Sequence, residues 1–471
     1  MSRSALFATC ALLAASCGGT SSLPRASEPA IGEAPLWVLA PHPDDEALFG
    51  AEPIRRALRE HREVSVFVMT NGDLGCERDG YLRERETAAA LAVLGLDESR
   101  VHFLGYPDGY LDALGATPLP PRERRDADGR CVLGATTYAA RGAEHTDVHT
   151  ALTGAPADYT AANAIGDLAA WLERERPSDV YVAHPIDEHP DHATTYVLLR
   201  RALESARLVS LPRLHRALVH VGGCWPNGDR LREPCEQIDG VLGKPHPPLP
   251  GALARYVPTE RLVVEDGGAL ARRAIAQYRS QLHVDADHDW LGAFARGDAI
   301  AWPEALVREG DRVVRAPAQA LIADEARWSV APHALDASEG TTLEGELASS
   351  GGRFEISLEV TVPREGAVTL ELAPRDAEGL GVRLGPNALV VSHGTTELRD
   401  VYVPDASAGP ERWTFRVDPR PDEGGVIELE IRRDGALVAV AIDPIALEGA
   451  RVIRASASGG ASVARVDLRA L

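Results

Sequence analysis

His42, Asp44, Asp45 and Glu46 crowd into five positions, directly after the short apolar run Leu36–Ala40 and Pro41. Three carboxylates and an imidazole that close repel one another unless a positive charge sits among them. Histidine nitrogen and carboxylate oxygen are good ligands for a divalent ion such as zinc. A plainer reading also exists: acids are favoured at a helix N-terminus by the helix dipole. A second knot weighs against it. His184-Pro-Ile-Asp-Glu-His-Pro-Asp-His192 follows another apolar run, Val180–Ala183, and opens a helical pattern at Ala193. Two strand ends that each carry His and Asp are what one shared metal site needs.

The elements that must position these knots alternate along the chain. Strand candidates are Leu36–Ala40, Val64–Thr70, Val101–Leu104, Val180–His184 and Ala217–Val221. Helical patterns lie between them at Ala47–Glu60, Leu82–Leu94, Tyr159–Glu175 and Ala193–Ala206. This βαβ rhythm predicts an α/β domain over residues 36–305, with a mostly parallel, doubly wound, Rossmann-like sheet. Ligands of such sheets bind beyond the carboxyl ends of the strands, where both knots fall. Ala116–Pro156 is polar, lacks a clear period and reads as a loop walling the site. Residues 306–335 read as a linker. From 336 to 471 the pattern changes to short alternating strands, as in Phe354–Val362, Val368–Leu372, Trp413–Val417 and Ile427–Ile431, with an Asp434-Gly435 hairpin turn. That predicts an all-β sandwich or jelly roll, serving either to pack on the first domain or to bind carbohydrate.

Composition narrows the function. The 471-residue chain carries a net charge of −21, which argues against nucleic-acid binding and against adsorption to an anionic membrane. Its first residues read as a targeting segment: Arg3, then an apolar stretch Ala5–Ala15 too short to span a bilayer. Leu13-Ala-Ala-Ser-Cys17 resembles a bacterial lipobox. Residues 1–16 then form a lipoprotein signal peptide, Cys17 takes the lipid and residues 17–35 are a flexible tether. An ordinary secretory signal is the plainer alternative. Either way the chain is expected to be exported, as a cell-envelope lipoprotein in the first case, with the lipid as its link to the membrane. In an oxidising compartment the remaining Cys76, Cys131, Cys224 and Cys235 suggest two disulfides. Cys224 and Cys235 flank a turn and are natural partners, which leaves Cys76 with Cys131.

The pair of motifs, His42-Pro-Asp-Asp-Glu46 and His189-Pro-Asp-His192, resembles the PIG-L/LmbE family of zinc-dependent N-acetylglucosaminyl de-N-acetylases. Further matches lie in order: Thr70-Asn-Gly-Asp73, Arg83-Glu-Arg-Glu86 with Leu94-Gly95, Gly105-Tyr-Pro-Asp-Gly109, Tyr278-Arg-Ser-Gln281, and the stretch from Trp290 to Trp302. The resemblance implies His42, Asp45 and His192 as the metal ligands. Zinc is the expected ion, and iron(II) fits the same three ligands. Asp44, left over, is the general base. His189 is the candidate for stabilising the tetrahedral oxyanion, as an imidazolium or as an N–H donor. Asp191 is placed behind a histidine, to orient it. Glu46 is assigned to the helix N-terminus. Asn71, Asp73, Arg83 and Asp108 are candidate substrate contacts, with ordinary turn or surface roles as the alternative. The expected reaction is hydrolysis of the acetamide of an N-acetylated sugar or glycoconjugate. An amidase acting on a non-sugar amide, and a glycan-binding lipoprotein with a vestigial enzyme domain, are the two rivals.

Overall fold

The computed structural model describes residues 34–471 except 140–145, 223–224, 227–240, 283–289, 317–341, 348–352, 375–376, 405–408 and 446–450. The signal segment with Cys17, nearly all of the tether, the Cys224/Cys235 pair and most of the expected linker lie outside the described residues.

The elements run β1 (Leu36–Ala40), α1 (Asp45–Leu48), α2 (Ala51–Arg59), β2 (Val64–Thr70), α3 (Gly80–Leu94), β3 (Val101–Tyr106), β4 (Arg122–Arg125), β5 (Cys131–Gly134), α4 (Val148–Thr153), α5 (Ala161–Glu175), β6 (Asp179–Ala183), α6 (Pro190–Ser205), β7 (Arg213–Ala217), β8 (Glu260–Val263), α7 (Ala269–Ile275), β9 (Asp298–Glu304), β10 (Leu306–Glu309) and β11 (Arg312–Arg315). Seven strands form one sheet in the order β3-β2-β1-β6-β7-β9-β8. The first five pair in parallel, and β9 and β8 add an antiparallel edge, so the sheet is mixed. β1 and β2 are buried throughout, the mark of strands covered on both faces. β1 lies between β2 and β6, where the winding reverses direction. The two His/Asp knots leave the carboxyl ends of β1 and β6, so they meet at this switch point.

Several sequence expectations are corrected. The pattern Ala47–Glu60 is two helices, α1 and α2, broken at Gly50. A Cβ on Gly50 would lie 2.5 Å from the Glu46 carbonyl and 3.0 Å from Val38, so the chain needs glycine at this close approach. The expected strand Ala217–Val221 is instead Arg213–Ala217. Its His215 and Arg216 mask the apolar run in the sequence, yet both are buried because carboxylates meet them. The region 116–156 holds the β4–β5 hairpin and α4, and a disulfide joins Cys131 of the hairpin to Cys76 in the loop after β2. The stretch expected to begin a linker at 306 opens as the β10–β11 hairpin.

Beyond residue 341 the described chain is mostly antiparallel strands, in a six-stranded and a five-stranded sheet. The two sheets share a core that includes Leu358, Leu370, Phe415 and Ile431. They also share cores with the α/β region. Leu437 and Val440 are buried in one cluster with Leu199, Leu203 and Trp37, and Val426 and Ile442 in another with Trp302 and Tyr256. Buried ion pairs cross the same boundary: Arg216 and Arg315 to Glu428 and Glu423, and Arg200 to Glu430.

Candidate active site

At the switch point three donor atoms form a small triangle. His42 Nδ1 lies 3.1 Å from His192 Nε2 and 3.4 Å from Asp45 Oδ2, and His192 Nε2 lies 3.2 Å from the same oxygen. Ligands of a tetrahedral ion bound at about 2.0–2.1 Å stand about 3.3 Å apart, so the triangle fits one face of such a site. The far side of each ring agrees. His42 Nε2 faces Asp191 Oδ2 and Asp108 Oδ1, both at 3.1 Å. His192 Nδ1 faces Asp187 Oδ2 at 3.3 Å. Carboxylates fix the protons on those outer nitrogens, which leaves two ring lone pairs facing each other across the triangle. Lone pairs repel, and a cation between them removes the conflict. The charge balance points the same way. Burial opposes charge on both rings, yet the encircling carboxylates push His42 up and His192 up to about 10. The residues present therefore fit a divalent metal. His42, His189 and His192 also hold one ring nitrogen each within 4.8 Å of one another, and Asp187, His192 and His220 do the same with a carboxylate oxygen and two nitrogens.

Asp44 borders the triangle without belonging to it. Its backbone φ of 132° is unusual for a non-glycine residue and costs on the order of 1–3 kcal/mol. Several contacts hold it there. Glu46 Oε2 accepts the Asp44 N–H at 3.1 Å, and Arg83 donates to the Pro43 carbonyl at 2.7 Å and to Asp44 Oδ2 at 3.3 Å. Arg83 is buried and also donates to the Gly72 carbonyl and to Gln281. A side chain on Gly72, whose φ is +63°, would strike the Arg83 guanidinium. Burial first, and then the neighbouring Asp45, push the Asp44 carboxyl up to about 7. Glu46, assigned from sequence to the helix start, also braces Asp44 through its own buried carboxyl.

His189 caps α6 by accepting the Asp191 N–H at its Nδ1, 3.2 Å away. Its proton then sits on Nε2, and the ring lines the cavity beside the triangle. Burial first, and then the neighbouring imidazoles, push it down to about 3. Asp191 also accepts the Gly109 and Leu111 N–H groups at 2.7 and 2.9 Å, which ties the loop after β3 to α6.

The four candidate substrate contacts separate. Arg83 and Asp108 line the cavity, though each is engaged with the knot. Asn71 and Asp73 are buried beneath its wall instead. Asn71 donates to the Tyr138 carbonyl, and Asp73 accepts the Tyr138 hydroxyl at 2.7 Å. His184, first in the second knot, bonds Tyr256 away from the cavity. Sequence reasoning missed Asp187, His220, Arg78 and Leu74. His220 stacks on Trp290, 5.0 Å between ring centres, and both line the cavity of about 260 Å³. Its signal was its place just past the carboxyl end of β7, which the misplaced strand hid. Asp187 stood inside the second motif without a role. Its carboxylate accepts the Val219, His220 and His189 N–H groups and faces His192.

A mixed α/β sheet carries at its switch point a His/Asp triangle that fits a cation, with the carboxylate of Asp44 beside it. Residues 37–203 match the family model PIG-L, GlcNAc-PI de-N-acetylase, and the chain carries a domain of that family. A 1D-myo-inositol 2-acetamido-2-deoxy-alpha-D-glucopyranoside deacetylase of Mycobacterium sp. (strain KMS) is 30% identical over 182 residues, which cover 35% of this chain and 49% of the relative. The chain thus spans about half the length of the curated relatives it matches. Among solved structures, an N,N'-diacetylchitobiose deacetylase from Pyrococcus horikoshii aligns at 15% identity over 57% of this chain and 84% of its own, with a TM-score of 0.35. A carbohydrate-binding module from Bacillus subtilis aligns at 14% identity over 31% of this chain and 92% of its own, with a TM-score of 0.22.

Proposed function

We propose that the chain is a zinc-dependent hydrolase that removes the acetyl group from an N-acetylglucosamine-type sugar or glycoconjugate. The observation that carries this reading is the triangle of His42 Nδ1, His192 Nε2 and Asp45 Oδ2, with Asp44 beside it in an open cavity. The family domain and the deacetylase relatives supply the reaction class. A divalent ion held by the three donors would polarise the acetamide carbonyl and acidify a water.

The chain's own residues do the rest. Asp44, held by Arg83 and Glu46, takes the proton of the attacking water and passes it to the departing amine. His189 offers its Nε2–H to the developing oxyanion. Asp108, Asp187 and Asp191 keep His42 and His192 in the tautomers that face the ion. Trp290, stacked on His220, gives the cavity an aromatic wall suited to a sugar ring. The Cys76–Cys131 disulfide supports an exported setting. The test is acetate release by zinc-loaded protein from a panel of N-acetylated sugars, with a chelated sample alongside. Metal-dependent release supports the reading. No release from any sugar while zinc is bound would move the assignment to a non-sugar amide.

A further inference from the structure

A side chain of the sandwich is hydrogen-bonded to the loop of the second His/Asp knot. Arg399, on the strand Thr396–Tyr402 of the six-stranded sheet, donates from its NH1 group to the Asp187 carbonyl at 2.6 Å. The acidic groups of Asp112, Asp187, Glu188 and Asp400 lie around it. Asp187 is where the loop between β6 and α6 is tied together. Its carboxylate accepts three backbone N–H groups and faces His192 Nδ1, and its own N–H donates to the His184 carbonyl. A pull on the Asp187 carbonyl fixes the direction in which its carboxylate leaves the backbone. The strand packs Leu398 and Val401 against the sandwich core, and the other sheet of the sandwich is held to the α/β region by the shared cores and by the buried ion pairs. The guanidinium therefore stands on a support that is itself anchored to the α/β region.

We propose that Arg399 is a positioning residue of the metal site: it fixes the Asp187 loop, and through the Asp187 carboxylate the ring of His192. The inference rests on the metal-dependent reading of the triangle. It also assigns the sandwich a part in the site, apart from any glycan binding.

The test uses the full chain, stripped and reloaded with zinc or cobalt(II). Arg399→Ala should weaken zinc affinity on the order of tenfold in competition with a chelator, as the loss of a contact behind a metal ligand does. Its cobalt spectrum should shift, while the metal-free protein should unfold at the wild-type temperature. Arg399→Lys, which keeps a charged donor, should recover part of the affinity. Arg454→Ala, which removes an ion pair to Glu371 elsewhere on the same sheet, should match wild type. Wild-type affinity and spectrum in Arg399→Ala would overturn the proposal. Should that variant fail to fold, hydrogen exchange on the wild type decides. Metal loading should slow exchange across residues 396–402, since coupling between two sites is reciprocal, and unchanged exchange would overturn the proposal. Acetate release tests the deacetylase reading separately. A protein that binds zinc, releases no acetate and loses affinity in Arg399→Ala would keep this inference and sink that one. A wild type that binds no metal would sink both.

Discussion

Glu428→Gln should cost this protein about 3–5 kcal/mol of folding stability, the usual result of breaking a buried ion pair. Glu428 is buried and accepts from Arg216 at 2.9 Å and from Arg315, both buried as well. Burial alone would raise its carboxyl, yet the two guanidinium groups hold it well below the ordinary range. At an effective dielectric near 20, each contact at about 4 Å is worth roughly 4 kcal/mol, so glutamine gives up roughly 8 kcal/mol of attraction. Relief from desolvating Glu428 returns several kcal/mol, which leaves the net figure. Glu423, with Glu304 beside Arg216, would then have to balance the two arginines. Urea unfolding of wild type, Glu428→Gln, Arg216→Met and the double variant measures this directly. Removing both partners leaves Arg315 matched to Glu423, so the double variant should be far less destabilised than the sum of the singles. Because cores are shared across the boundary, tryptophan fluorescence and far-UV circular dichroism should follow one transition. A cost below about 1 kcal/mol for Glu428→Gln, or strict additivity, would refute the electrostatic account.

Asp44→Asn should lower acetate release by on the order of 10²–10⁴ while zinc stays bound, measured by turnover and by metal content. His215 sits between Asp179 Oδ1 at 3.1 Å and Glu260 Oε2 at 2.7 Å. Burial opposes its charge, but the carboxylates raise it above 6.5, so its contribution is full below pH 6.5 and is lost as pH rises through the raised value. Asp179 and Glu260 are depressed below 3.8 and 4.5 despite burial, so their contribution fades as pH falls. His215→Gln should therefore destabilise most between about pH 4.5 and 6.5 in urea titrations, and a loss that is flat with pH would contradict this. The Cys76–Cys131 bond closes 55 residues, and chain entropy sets about 4 kcal/mol as the most its loss can cost. Leu74, near Cys76, lines both the cavity and the groove under β4–β5, so Cys131→Ser should raise KM more than it lowers kcat.

Much of the α/β sheet was legible because fully buried parallel strands write themselves as apolar runs. β1, β2 and β6 did so, and the knots followed them. The triangle was legible because its three residues fall within two motifs. β7 was not, since its arginine and histidine are buried by partners more than thirty residues away, which no local pattern reveals. Asn71 and Asp73 looked like site residues because they end β2 on the correct edge. Only the placement of Tyr138 above them shows that they serve the wall. Arg399 carries no signal at all, because its meaning depends on how the two regions dock.

The family match ends at residue 203, inside α6, which runs from Pro190 to Ser205. Arg200, three residues earlier, is already committed to Glu430 in the sandwich. The matched stretch thus ends inside a helix that is already tied to the β region beyond it. A replacement β module joined after this domain would have to bring carboxylates where Glu428 and Glu430 now stand, or leave Arg216 and Arg200 to share the one carboxylate of Glu304. Exchange by recombination is therefore expected to succeed only between chains that already share this set of charges, and drift at one side of the seam must wait for an answer from the other.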